Sequence, residues 1–219
     1  LIDLPARSIH LGFALFLVFL AYPCFKKDRE KKFNYFSFFL AILGLLTTFY
    51  ISFSYQGLVD RNGILLWYNL SLFGFNFSFP IELVLGLVGI SLLLEATRRS
   101  IGLPLVIVAI IFYLYSFFGQ VMPEIISHQG LSFNRLVGYH WFSSEAIFGI
   151  PISVSVSFVF LFVLFGSMLD YAGGGKYFLN LAIALVGKFR GGPAKASILA
   201  SGLTGMISGS SIANVVTTG

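Results

Sequence analysis

The stretch that decides the fold closes the sequence: Gly191-Gly-Pro-Ala-Lys-Ala-Ser-Ile-Leu-Ala-Ser-Gly-Leu-Thr-Gly-Met-Ile-Ser-Gly-Ser-Ser-Ile-Ala-Asn-Val-Val-Thr-Thr-Gly219. It starts as an apolar run of helical character and then changes. Pro193 falls in a first turn, where its missing N–H does no harm, and the pattern predicts a helix from Pro193 to about Ile207. Ser208, Gly209, Ser210 and Ser211 then run together, with Asn214, Thr217 and Thr218 beyond them. Short hydroxyl side chains compete for backbone groups and glycine relaxes the dihedral limits, so the helix is expected to break there. In water such a break is an ordinary loop. In hydrocarbon every unpaired backbone group is costly, and a break persists only where protein buries it or a wet cavity receives it. There its free carbonyls and helix ends hold ions or small anions.

Composition places this stretch in a membrane. Of the 219 residues, 57% are hydrophobic, 17% aromatic and 11% charged, and the mean hydropathy is +0.90. A soluble domain carries about 25% charged residues. Five segments approach the roughly 20 apolar residues that span a bilayer: residues 8–25, 33–54, 80–96, 102–119 and 146–169. One such segment fits a buried core helix, but five in series exclude a soluble all-α protein. The expected fold class is an all-α integral membrane protein of about five transmembrane helices, with a cytoplasmic interfacial arm and a re-entrant helical hairpin.

The net charge of +5 is not a nucleic-acid footprint, because the cations sit in short clusters between apolar runs. Lys26, Lys27, Arg29, Lys31 and Lys32 follow the first span, Arg98 and Arg99 the third, and Lys176, Lys188, Arg190 and Lys195 the fifth. The remaining cations are Arg7, Arg61 and Arg135. Strict alternation puts all three clusters on the cytoplasmic side, as the positive-inside rule requires, and puts the first residue outside. The sequence opens on Leu1 and ends inside the Gly191 stretch, so both ends read as cuts in a longer chain. Residues 8–25 are not a signal peptide, because their basic cluster follows the apolar run. The lone Cys24 excludes an internal disulfide and a cysteine-based metal cluster.

Between the spans, residues 55–79 carry Asp60, Arg61 and then Trp67, Tyr68, Phe73, Phe75, Phe77 and Phe79, a mix that suits an aromatic belt or a helix lying in the interface. Glu95 stands three and four residues before Arg98 and Arg99, the spacing of helical ion pairs, and the three read as a structural ion pair that pins a helix end. Glu82 is expected near the opposite interface. His128 and His140 lie in the outer connection 121–145, too few for a zinc site, and read as surface histidines. Residues 177–187 make a helix of only about 16 Å with cations at both ends, so 173–188 reads as an arm along the cytoplasmic surface, or otherwise as a tilted span. With the arm, residues 191–219 enter from the cytoplasm and turn back at mid-membrane.

Gly191-Gly-Pro-Ala-Lys195, Ser208-Gly-Ser-Ser-Ile-Ala-Asn214 and Thr217-Thr-Gly219 resemble the large membrane subunit of tripartite ATP-independent periplasmic (TRAP) transporters. Leu94-Glu-Ala-Thr-Arg-Arg99 and Phe148-Gly-Ile-Pro151 resemble the TAXI-type variant, in which small and large membrane subunits are fused. The resemblance implies a permease in a bacterial or archaeal inner membrane. Such a permease takes organic anions, often carboxylates, from a periplasmic substrate-binding protein and couples import to sodium. It implies a small-subunit-like scaffold over 1–120, a periplasmic connection over 121–145 and the start of the transport domain over 146–219, with the second hairpin downstream. No cofactor is expected beyond the coupling ion.

On this reading the hairpin tip binds sodium and substrate through Ser208, Gly209, Ser210, Ser211, Asn214 and Thr217, with Ser208, Gly209, Ser210 and Asn214 as the sodium ligands. Sodium needs several oxygens, which carbonyls, hydroxyls and an amide supply. A helix restarting near Ser211 favours a carboxylate. Three other readings compete: a membrane scaffold without an ion site, a small-residue packing seam at residues 205–209, and a water-filled channel, which lacks a charged ring. An intramembrane enzyme is disfavoured because Glu82, Glu95, Glu124, Glu145 and Asp170 all fall near expected span ends or in loops.

Overall fold

The computed structural model describes residues 3–22, 34–61, 64–66, 68–72 and 75–206. The described residues form helices, one short hairpin of strands and the turns between them. The helices are α1 (Asp3–Ala21), α2 (Tyr35–Phe53), α3 (Tyr55–Asp60), α4 (Ile81–Ser100), α5 (Leu103–Phe117), α6 (Phe133–Phe142), α7 (Ile150–Val154), α8 (Phe160–Tyr171), α9 (Gly174–Val186) and α10 (Gly192–Gly205). A π-turn over Ser155–Val159 joins α7 to α8, so Ile150–Tyr171 is one continuous apolar helix.

Among the described residues three helices are long and apolar enough to cross a membrane: Leu4–Ala21, Tyr35–Phe53 and Ile150–Tyr171. The other two expected spans are also helices, each with one deviation. Helix α4 has 20 residues but carries Glu82 in its first turn and Glu95, Arg98 and Arg99 near its last. Helix α5 is apolar but has 15 residues, about 22 Å at 1.5 Å per residue, short of the roughly 30 Å hydrocarbon core. The chain is an all-α membrane protein.

The chain divides into two compact units, Leu1–Ser153 and Val154–Gly219. In the first, α1 and α2 pack along their length. Leu4, Ser8, Leu11, Leu15 and Phe19 are buried, and their spacing of three and four residues makes one helical stripe. The helices approach closely at glycine. A β-carbon on Gly12 would collide with the Thr48 hydroxyl, and one on Gly44 would stand 3.3 Å from Cβ of Leu15. The polar groups in this seam satisfy one another. Thr47 and Thr48 donate to the Gly44 carbonyl at 3.0 and 2.9 Å, and the Ser8 and Ser52 hydroxyls lie 3.0 Å apart.

Helix α4 lies against α1, α2 and α6. Trp141 of α6 is fully buried over Gly86 and Gly89, where a β-carbon on Gly89 would overlap the indole. Phe148, also fully buried, meets Trp141 edge-on at 5.6 Å, and its carbonyl accepts from Arg7 Nη1 at 2.8 Å. Of the two readings of residues 55–79, an aromatic belt or an interfacial helix, the helix does not hold for the strands: among the described residues α3 is helical, while Tyr68–Leu72 (β1) and Phe75–Phe79 (β2) form an antiparallel ladder pairing Tyr68 with Phe79, Leu70 with Phe77 and Leu72 with Phe75. The sequence Phe75-Asn-Phe-Ser-Phe79 alternates with period two, which a strand accommodates and a helix does not.

The loop after α5 is tied by short hydrogen bonds. His128 Nδ1 accepts from the Gly130 N–H at 3.0 Å, and its Nε2 lies 3.1 Å from the Tyr115 carbonyl, to which it donates. His140, half-buried, meets the Leu136 carbonyl through Nδ1 at 2.9 Å. Both histidines are engaged by backbone groups. Tyr139 donates to Glu145 at 3.2 Å, and that bond to a carboxylate raises the Tyr139 phenol above its ordinary pKa.

In the second unit α9 packs against α8 and α10. Gly173 (φ 85°) and Gly191 (φ 72°) precede α9 and α10 in the left-handed region, where L side chains are strained. They set α9 between two sharp joints.

Candidate functional site

Helix α10 leads into the polar run singled out in the sequence. Its buried residues are Gly192, Ala196, Ala200 and Thr204, one every fourth position and therefore one stripe. Ala182 of α9 is fully buried with Ala196 and Ala200, and Leu179 and Val186 pack beside them. Small residues let two helices approach closely where no hydrophobic force separates helix from lipid. Thr204, 4% exposed, ends the stripe, and among the described residues its buried hydroxyl has no hydrogen-bond partner. Ser208 stands four residues further on. The expected binding residues Ser208, Gly209, Ser210, Ser211, Asn214 and Thr217 lie outside the described residues.

The expected structural ion pair lies at the far end of α4. Glu95 Oε2 accepts from Arg98 Nε at 2.7 Å, and Oε1 accepts from Arg98 Nη2 at 2.8 Å and Arg99 Nε at 2.7 Å. The two arginines differ. The Arg98 side chain is 37% exposed and that of Arg99 is 1% exposed. Arg99 Nη1 also donates to Ser37 Oγ at 3.1 Å and reaches the Tyr22 carbonyl at 3.3 Å, and its guanidinium lies 4.9 Å from the centre of the Phe19 ring. One arginine thus ties α4 to the end of α1 and the start of α2.

Glu82, in the first turn of α4, is completely buried. Arg61 donates to it through Nη1 at 3.1 Å and Nη2 at 2.9 Å. The Tyr50 hydroxyl donates at 2.9 Å and the Leu66 N–H at 2.6 Å. Four donors occupy the two carboxylate oxygens, which is how a charge survives burial. With its oxygens so engaged, Glu82 is a structural clamp. The sequence held a signal for it: Arg61 and Glu82 bracket 20 residues without a charge, so each is the other's nearest opposite partner across that segment. Among the described residues no three His, Cys, Asp or Glu are grouped to hold a metal.

Residues 88–219, more than half of the chain, match the family described as tripartite ATP-independent periplasmic transporter, DctM component. No curated protein and no solved structure matches the chain.

Proposed function

Because the chain belongs to the DctM-component family of tripartite ATP-independent periplasmic transporters, we propose that it is the permease part of a sodium-coupled secondary transporter. It imports organic anions, carboxylates among them, that a periplasmic substrate-binding protein delivers to a bacterial or archaeal inner membrane. The TAXI-type fused architecture is part of this reading, with a scaffold over 1–120, a connection over 121–145 and the start of the transport domain over 146–219.

One observation carries it: a close-packed helix, α10, runs by sequence straight into Ser208-Gly-Ser-Ser211 and Asn214. A helix end rich in hydroxyl, amide and carbonyl oxygen offers sodium the oxygen ligands it needs, and a restarting helix N-terminus favours the carboxylate. The family membership supports transport as the activity and speaks against catalysis. The test is uptake by the full-length transporter in proteoliposomes with its binding protein. Uptake is expected to need a sodium gradient, and Asn214→Ala and Ser210→Ala are expected to lower it at least tenfold, with a raised sodium requirement. Sodium-independent uptake would remove the coupling. Absence of both uptake and sodium-dependent thermal stabilisation would favour a non-transporting scaffold.

A further inference from the structure

We propose that the loop after α5, residues 118–127, rests in the headgroup–acyl boundary of the bilayer and dips Val121 and Ile125 into the lipid. Helix α5 starts just past the end of α4 and runs back along it. Its Tyr113 meets His140 of α6 at 4.9 Å, and α6 packs on Gly86 and Gly89 of α4. The helix ends at Phe117 after 15 residues, about 22 Å, short of the roughly 30 Å hydrocarbon core. The uncharged sequence does not end there: no Asp, Glu, Lys or Arg falls between Arg99 and Glu124. A 3₁₀ turn over Gly119–Val121 follows directly and at about 2 Å per residue adds about 6 Å, which brings the chain to the boundary near Glu124. A carboxylate is costly any deeper, so Glu124 sets the depth of the loop.

The surface of the loop suits lipid. Val121 is 81% exposed and Ile125 97%, with Phe118 and Ile126 exposed beside them. An apolar recess of about 390 Å³, lined by Ile111, Phe112, Leu114, Tyr115, Phe118 and Met122, joins this tip to the exposed apolar face of α5. That continuity with the lipid-facing surface of a membrane helix selects lipid over a soluble partner. Irregular backbone is tolerated near hydrocarbon only when its polar groups are satisfied, and here they turn on one another. The Val121 N–H donates to the Phe118 carbonyl at 3.0 Å, the Ile126 N–H to the Pro123 carbonyl at 2.9 Å and the His128 N–H to the Gly119 carbonyl at 3.1 Å. The Tyr115 hydroxyl donates to the Ile126 carbonyl and the Gln120 amide to the Gln129 carbonyl, both at 2.8 Å. The His128 ring bridges Tyr115 and Gly130 and closes the loop onto the end of α5. Side chains of such interfacial segments dip about 5–10 Å into the acyl boundary.

The test uses the full-length protein in phosphatidylcholine nanodiscs. Val121→Cys, Ile125→Cys and, in the middle of α5, Ile111→Cys are made separately in a background free of other cysteines, Cys24→Ser included, and labelled with a polarity-sensitive fluorophore. All three positions are exposed, so the labels leave the fold in place. A lipid nitroxide near the top of the acyl chain is expected to remove about half or more of the emission from residues 121 and 125, and a nitroxide near the chain end to quench them less. At residue 111 that order is expected to reverse. A water-soluble nitroxide is expected to quench residues 121 and 125 less than the shallow lipid nitroxide does. Stronger quenching from water than from lipid would show a tip turned to solvent or to a soluble partner. Protection from every quencher would show that protein covers it, and chain-end quenching as strong as at residue 111 would place it in the hydrocarbon core. Each of these three results would overturn the proposal. The readout needs neither uptake nor sodium, so it is decided independently of the transport activity.

Discussion

Arg61 and Glu82, 21 residues apart in sequence, meet through two hydrogen bonds of 3.1 and 2.9 Å at the base of the β1–β2 hairpin. Leu66 enters the hairpin with its N–H on Glu82, and β2 runs through Pro80 directly into α4. One buried carboxylate therefore fixes both feet of the hairpin to the head of α4. Tyr50 adds α2 to the same anchor.

Breaking this pair from one side is expected to cost more than removing it. Arg61→Leu leaves a buried carboxylate with fewer donors, a loss of about 3–5 kcal/mol. Arg61→Leu with Glu82→Leu removes both charges and is expected to unfold at a higher temperature than Arg61→Leu alone. Tyr50→Phe deletes one donor, for about 1 kcal/mol. Thermal unfolding of the purified variants gives this order directly, and a double variant weaker than either single one would show that the charges themselves stabilise the fold.

The Gly89–Trp141 contact predicts an intolerance of small size. Gly89→Ala drives a methyl group into the indole and is expected to destabilise by about 1–3 kcal/mol, although alanine is the better helix former. Trp141→Phe in the Gly89→Ala background restores room and is expected to recover part of the loss. Unfolding midpoints of the two single variants and the double variant measure the coupling. Additive effects would mean that α4 and α6 do not meet there.

Three glycines of the second unit separate dihedral strain from crowding. A β-carbon at Gly173, Gly191 or Gly202 would meet nothing within 4 Å. Gly173 and Gly191 have positive φ, so Ala at either costs about 1–2 kcal/mol through the backbone alone. Gly202 sits inside α10, so Gly202→Ala is expected to stabilise by up to about 1 kcal/mol. Opposite signs in thermal unfolding are the expected result, and Gly191→Ala as stable as the parent would refute the left-handed joint before α10.

Much of this architecture is written locally. A helix rises 1.5 Å per residue and hydrocarbon needs about 20 apolar residues, so composition and run length alone marked five segments, and a helix runs through the described residues of each. The spacing of Glu95, Arg98 and Arg99 is likewise a property of one helix. The period-two alternation of residues 75–79 was present in the sequence too, but aromatic content masked it, because an interfacial helix and a strand use the same residue types.

What the sequence by itself determined is the class of molecule: an apolar helical membrane chain with its cations gathered in short clusters. Hydropathy and periodicity are sums over neighbours in the chain, so they needed no fold. The tertiary structure decided how deeply Glu82 is buried, that Arg99 is enclosed while Arg98 is not, and that Trp141 rests on two glycines. Those outcomes depend on contacts between residues tens of positions apart, and the burial of a charge is set by what surrounds it in space.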